Sequence, residues 1–201
     1  MGTENVFENA KVYGDARVYE DAQVYGNARI FGISQVFGNA QVFGNVGVFG
    51  ISRVFGNAQV YGNARIFDNA RVFGNARVSG YARVSGRVWV SGDARVHENA
   101  QVFGNAQVYG DARVFGDARV AEDAQLYAPN HIVVISGYLQ SPFTVYRTDE
   151  GHRVQAGCQN FKLTDDVERI ARSNEWKLPR GWESVRDGLL DSVKGWHPDA
   201  A

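Results

Sequence analysis

The sequence predicts an all-β solenoid built as a parallel β-helix, and three observations predict it. Every sixth residue from Val6 to Ile132 is Val, Ile or Leu. Two residues before each aliphatic from Val12 to Leu126 stands Ala, Ser or Val. Gly followed by Asn or Asp recurs in the same unit, as in "VFGNAR" and "VYGDAR". A period of six is even, so in extended backbone a given unit position always faces the same side. A helix of 3.6 residues per turn would scatter that position and carry a costly Gly in every unit.

The small and aliphatic positions share one parity and form the interior. Arg, Gln and Lys alternate with them, and a narrow core could not hold so many desolvated guanidiniums. That parity therefore faces solvent. Stretches such as "ARVF" are short strands, and the Gly–Asn or Gly–Asp pair makes each corner, where both residue types tolerate positive φ. This unit explains the 23 glycines against 4 prolines.

The unit resembles the hexapeptide-repeat left-handed β-helix superfamily, whose loose motif places an aliphatic and a small residue at fixed offsets. Its "NARVYG" style is most similar to the YdcK-like proteins, which carry only a transferase label. The resemblance implies a left-handed triangular prism of about seven coils, three units per coil, rising roughly 4.8 Å each. It spans residues 1–132, and fold alone does not establish an activity.

Residues 133–201 form a different object, a small α+β cap over the open end of the solenoid, where an uncovered coil is an exposed sheet edge. "HIVVISG", "FTVYRT" and "HRVQAGC" read as strands, with "DEGH" as a turn. Thr164 caps a helix whose face holds Leu163, Val167, Ile170 and Ala171. A second helix carries Trp182, Val185, Leu189 and Val193. The cap also resembles a small bacterial and phage domain of unassigned role, through its Tyr-Arg-Thr and Gly-Cys pieces.

A net charge of -1 gives no electrostatic case for nucleic acid or an anionic membrane. No apolar run reaches the roughly 18 residues of a membrane span, and the start has no leader or myristoylation pattern. One cysteine allows no internal disulfide. A cytoplasmic protein is the expectation. The thinly covered first coil around Val6 is a further expectation of association.

The chemistry-bearing residues are few. No His, Cys or acidic spacing commits to a metal. His97 stands at an outward aromatic position and reads first as a surface substitute. Cys158, six residues after His152, reads as a small strand-end residue, with a thiol nucleophile as the alternative. No catalytic residue is assigned. In hexapeptide acyltransferases, as the resemblance implies, a loop often leaves one coil and a histidine acts beside a subunit groove. Here the hexad phase never breaks, so coenzyme A between prisms with His97 as base is the alternative reading.

Outward aromatics should stack coil on coil with guanidiniums over them. Phe37, Phe55 and Phe73 climb one face. With Ile33 and Ile51, which replace corner Asn residues, they are candidates for self-association into a dimer or trimer. The stretch "RVSGYARVSGRVWVSGDARVHENA" breaks the rule: Ser79, Ser85, Ser91 and His97 replace the aromatic in four successive units. Tyr81 and Arg87 take corner positions there, and Trp89 takes an Arg or Gln position. Tyr81, Arg83, Arg87, Trp89, Arg95 and His97 thus form a belt. It is a packing seam, a groove for a ligand with a ring and an anion, or drift. The expected function is a non-catalytic homo-oligomeric scaffold or binding protein that recognises a partner or small ligand at a subunit seam.

Overall fold

The computed structural model describes residues 5–128, 131–135, 143–148, 151–156 and 159–162. Twenty short strands, from β1 (Lys11–Val12) to β20 (Gln125–Leu126), recur every six residues and form three parallel sheets of seven, seven and six strands. The chain is an all-β parallel solenoid. Each strand pairs with the third strand after it, as in Arg71↔Trp89 and Val72↔Val90. The two seven-stranded sheets each hold seven rungs, which six full turns connect.

We call the sheets by their outward residues. The first runs through Arg29, Gly47, Arg65, Arg83 and Gln101, and the second through Arg53, Arg71, Trp89 and Gln107. The third runs through Gln41, Gln59, Arg77, Arg95 and Arg113. The expected parity holds in every rung. Ala and Val of the repeat fill one continuous core, most of them fully buried, while the alternate Arg and Gln lie outside. Burying a Val side chain stabilises by about 1.5–3 kcal/mol. The narrow cross-section is thus filled by numerous small contributions rather than by large side chains.

The corners are tighter than the sequence implies. Positive φ recurs every six residues from Glu8 to Glu122, always at the unit's Gly position and not at its Asn. At Gly86, φ is +80° and an added Cβ would lie 2.5 Å from the carbonyl oxygen of Gly104, one rung up. Backbone meets backbone there, so side-chain adjustment cannot relieve the contact. Gly47 is a different glycine. It stands on a strand without positive φ, and the nearest atoms to an added Cβ are Phe49 ring carbons at 3.5 and 3.6 Å.

The solenoid ends at Leu126, although the hexad phase continues to Ile132. That residue opens β21 (Ile132–Ile135), the first strand of an antiparallel sheet with β22 (Phe143–Thr148), β23 (Gly151–Ala156) and β24 (Gln159–Lys162). Three of the four strands match the sequence reading, and β24 has no counterpart in it. β22 lies against the last rung. Arg119 N–H donates to Thr144 Oγ1 at 2.9 Å, and Ala124 bridges Thr148. Tyr146 is buried in the solenoid's own core cluster. Burial pushes its phenol up to about 12. The two expected helices, with Trp182 and its neighbours, lie outside the described residues, as does Cys158.

Gly86→Ala should cost at least about 2 kcal/mol, from left-handed strain and the contact with Gly104. Gly47→Ala should leave stability unchanged or raise it by about 0.5 kcal/mol. Urea unfolding of both variants measures the contrast.

Candidate functional site

The outer surface is a set of side-chain ladders. Along one edge, Asn27 Nδ2 donates to Asn45 Oδ1 at 3.1 Å, and Asn45 donates to Asn63 at 3.2 Å. Along another, Asn39 donates to Asn57, Asn57 to Asn75, and Asn75 to Asp93, at 3.1, 3.2 and 3.1 Å. Asp serves at the top of such runs because an ionised carboxylate accepts but has nothing to pass on. Asn99→Asp117 and Asn105→Asp123 end the same way, at 3.0 and 3.2 Å. The corner Asn therefore works through its side chain, not through backbone tolerance.

Acids also take the corner glycine position in five units: Glu8, Glu20, Asp68, Glu98 and Glu122. Four of them accept a hydrogen bond from the glycine N–H one rung above. The pairs are Glu8–Gly26, Glu20–Gly38 and Glu98–Gly116 at 2.8 Å, and Asp68–Gly86 at 3.2 Å. A charge-assisted bond offsets part of the cost of a left-handed residue with a Cβ. Sequence reasoning misses this device, although an acid where the glycine is missing is visible in the repeat.

The rings stack as expected, but the guanidinium contacts fall on Trp89 and Tyr127 rather than on these ladders. Tyr19, Phe37, Phe55 and Phe73 stack at 5.0, 4.9 and 4.9 Å on the second sheet. Phe31, Phe49 and Phe67 stack on the first at 4.9 and 5.1 Å. Tyr25, Phe43 and Tyr61 stack on the third at 5.1 and 5.0 Å. Stacking leaves Phe37, Phe55 and Phe73 half-buried.

The edge between the first and second sheets differs. Ile33 and Ile51 stand where Asn would, 56% and 53% exposed, beside Phe31 at 39%. No side-chain ladder forms at these isoleucines, and the hydroxyls beneath take over the bonding. Buried Ser34 Oγ donates to Phe31 O at 2.8 Å, and Ser52 Oγ to Phe49 O at 2.9 Å. Gly47 leaves a notch in the outward column between Arg29 and Arg65, next to Phe49.

The belt residues do not converge. Arg83 lies on the first sheet, Trp89 on the second, and Arg95 with His97 on the third. Tyr81 and Arg87 occupy two different corners. Tyr81, 65% exposed, stands between the ladder ending at Asn63 and the one starting at Asn99. Arg87 stands between Asn69 and Asn105 on the isoleucine edge. Trp89 packs edge-on over Phe73, 6.3 Å and 75°, with the Arg71 guanidinium 5.5 Å from its ring. The indole thus partly fills the space that Ser91 leaves. His97 stacks on Phe115 at 5.6 Å, and its Nδ1 lies 3.5 Å from Glu98 Oε1. Among the described residues, no cluster of three or more His, Cys, Asp or Glu could hold a metal, and no helix is long and apolar enough to cross a membrane.

Tyr81→Asn should join the two interrupted ladders through Asn63 and Asn99. Thermal unfolding should report a gain of about 0.5–1 kcal/mol.

The model of the YdcK beta solenoid repeat matches residues 22–36, 58–72, 70–86 and 106–122. All four segments lie in the solenoid, and none includes Gly47, Ile51, Trp89 or His97. No curated protein and no solved structure matches the chain. In its repeat, the chain is similar to the YdcK beta solenoid and builds a repeat β-helix from it.

Proposed function

We propose that the chain is a non-catalytic scaffold that associates with further copies of itself, through the edge that carries Ile33 and Ile51. The observation that carries this reading is the compensated exchange at that edge. Two Asn residues of the outer ladder give way to exposed isoleucines, while Ser34 and Ser52 supply hydrogen bonds from inside. A polar edge has become apolar without leaving its corners unsupported. Together with Phe31, Phe49 and the Gly47 notch, the isoleucines form one apolar strip. Large exposed strips of this kind mark interfaces.

A second copy is the occupant that fits. The two isoleucines stand one rung apart on the same edge, and the edge of another solenoid repeats at the same rung spacing. Isologous pairing sets such a strip against itself in register. The remaining outward groups favour a structural over a chemical role, because most of the carboxylates and amides of the corners are engaged from rung to rung.

The alternative is acyl transfer from coenzyme A with His97 as base, and one observation favours it. The Glu98 carboxylate lies beside Nδ1, which leaves Nε2 to face a substrate. In that case His97→Ala abolishes turnover of acetyl-coenzyme A; in the scaffold reading it leaves assembly intact.

Light scattering coupled to gel filtration tests the proposal. The wild-type chain should run as a dimer, and Ile33→Lys with Ile51→Lys as a folded monomer. A monomeric wild type, or a doubly substituted chain that still assembles, overturns it.

A further inference from the structure

Four units lack their ring: Ala121 is fully buried, and the other three, Ser79, Ser85 and Ser91, lie one on each sheet and are not equivalent. With ladder steps of 4.9–5.1 Å, a missing ring leaves about 10 Å between the rings below and above, room for one planar ring in the same offset stack. On the second sheet, the chain's own Trp89 leans over Phe73 into this space. On the first, Ser85 lies between Phe67 and Phe103, beside the column Arg65, Arg83 and Gln101.

The third-sheet gap differs in its upper ring, a histidine, and in its column, which carries an arginine on three consecutive rungs. Ser79 is its floor, half-buried Tyr61 lies below, and His97, 36% exposed, lies above. On the strand beside it, Arg77, Arg95 and Arg113 stand in direct register on consecutive rungs. None of the three has an ion-pair partner among the described residues. Three nearby carboxylates are already held: Asp93 by Asn75, Asp117 by Asn99, and Glu98 by Gly116. Tyr81 adds an exposed ring two residues beyond Ser79. Tyr61 and His97 offer ring faces, Ser79 a hydroxyl, and the column unpaired positive charge.

We propose that this vacated rung is a binding slot for a planar aromatic ring bearing an anionic group. The ring stacks between Tyr61 and His97, and the anion meets Arg77 and Arg95 across the strand. Ring stacking and charge-assisted hydrogen bonds together recognise this class, whereas either one alone binds weakly. The slot lies on a different sheet from both the Gly47 notch and the Phe37 ladder, and it does not depend on self-association.

Calorimetric titration of the full chain with naphthalene-2-sulfonate tests the slot. One molecule should bind per chain, with a Kd on the order of 0.1–1 mM. Ser79→Phe, which restores the repeat's own aromatic and keeps the fold, should abolish binding. Arg95→Gln should weaken it roughly tenfold. Ser85→Phe should leave it unchanged, as should Ile33→Lys with Ile51→Lys. No saturable binding to the wild type overturns the proposal. So does binding that survives Ser79→Phe, that is lost with the isoleucine variant, or that methanesulfonate displaces equally well.

Discussion

Backbone contact at the corners is the constraint on which the rest of this solenoid depends. With positive φ at each corner and 2.5–3.4 Å between an added Cβ and the next rung at nearly all corner glycines, the chain turns with almost no room for side chains inside the bend. That contact keeps each rung directly over the one below. Once successive rungs superimpose, identical side chains must stack on themselves. Asn then finds Asn, Phe finds Phe, and a corner acid finds the N–H above it. The ladders follow from the register; they do not create it.

This makes stability a sum over rung-to-rung interfaces, as expected for a solenoid in which each repeat touches only its neighbours. Most interfaces gain aromatic stacks and corner hydrogen bonds besides the sheet bonds. The stretch from Ser79 to His97 gives up the stack on each of three faces, and Tyr81 and Arg87 break two of the three edge ladders. Aromatic pairs contribute about 0.5–1.5 kcal/mol each beyond their burial. Trp89 recovers part of one such contribution through Phe73 and Arg71. The same rung is thus the loosest interface and the one whose surface differs most, and both facts have one cause, the missing rings.

The repeat makes the fold legible. A period of six with fixed parity leads to the three sheets, the buried Val and Ala, and the stacked aromatics, because periodicity alone determines which side a residue faces. Other features depend on where side-chain atoms meet. Reading Asn as a backbone-tolerant turn residue overlooks its ladder role, since both roles favour the same residue at the same place. The corner acids stay hidden because their bonding partner lies a full coil away in the chain. Tyr81, Arg83, Arg87, Trp89, Arg95 and His97 form one belt along the sequence, but a three-sided coil distributes them over three sheets and two corners. Gly47 reads as one glycine among many, although within the solenoid it is the one glycine on a strand without positive φ. Neither Cys158 nor the expected helices fall within the described residues.

Native-state hydrogen exchange, resolved rung by rung, tests the central claim that side-chain ladders on a fixed register determine local stability. Strand amides between Gln35 and Phe73 should be the most protected, and those from Arg77 to Val96 should open at distinctly lower free energy. Uniform protection along the solenoid, or a minimum elsewhere than at the serine rungs, would contradict the account.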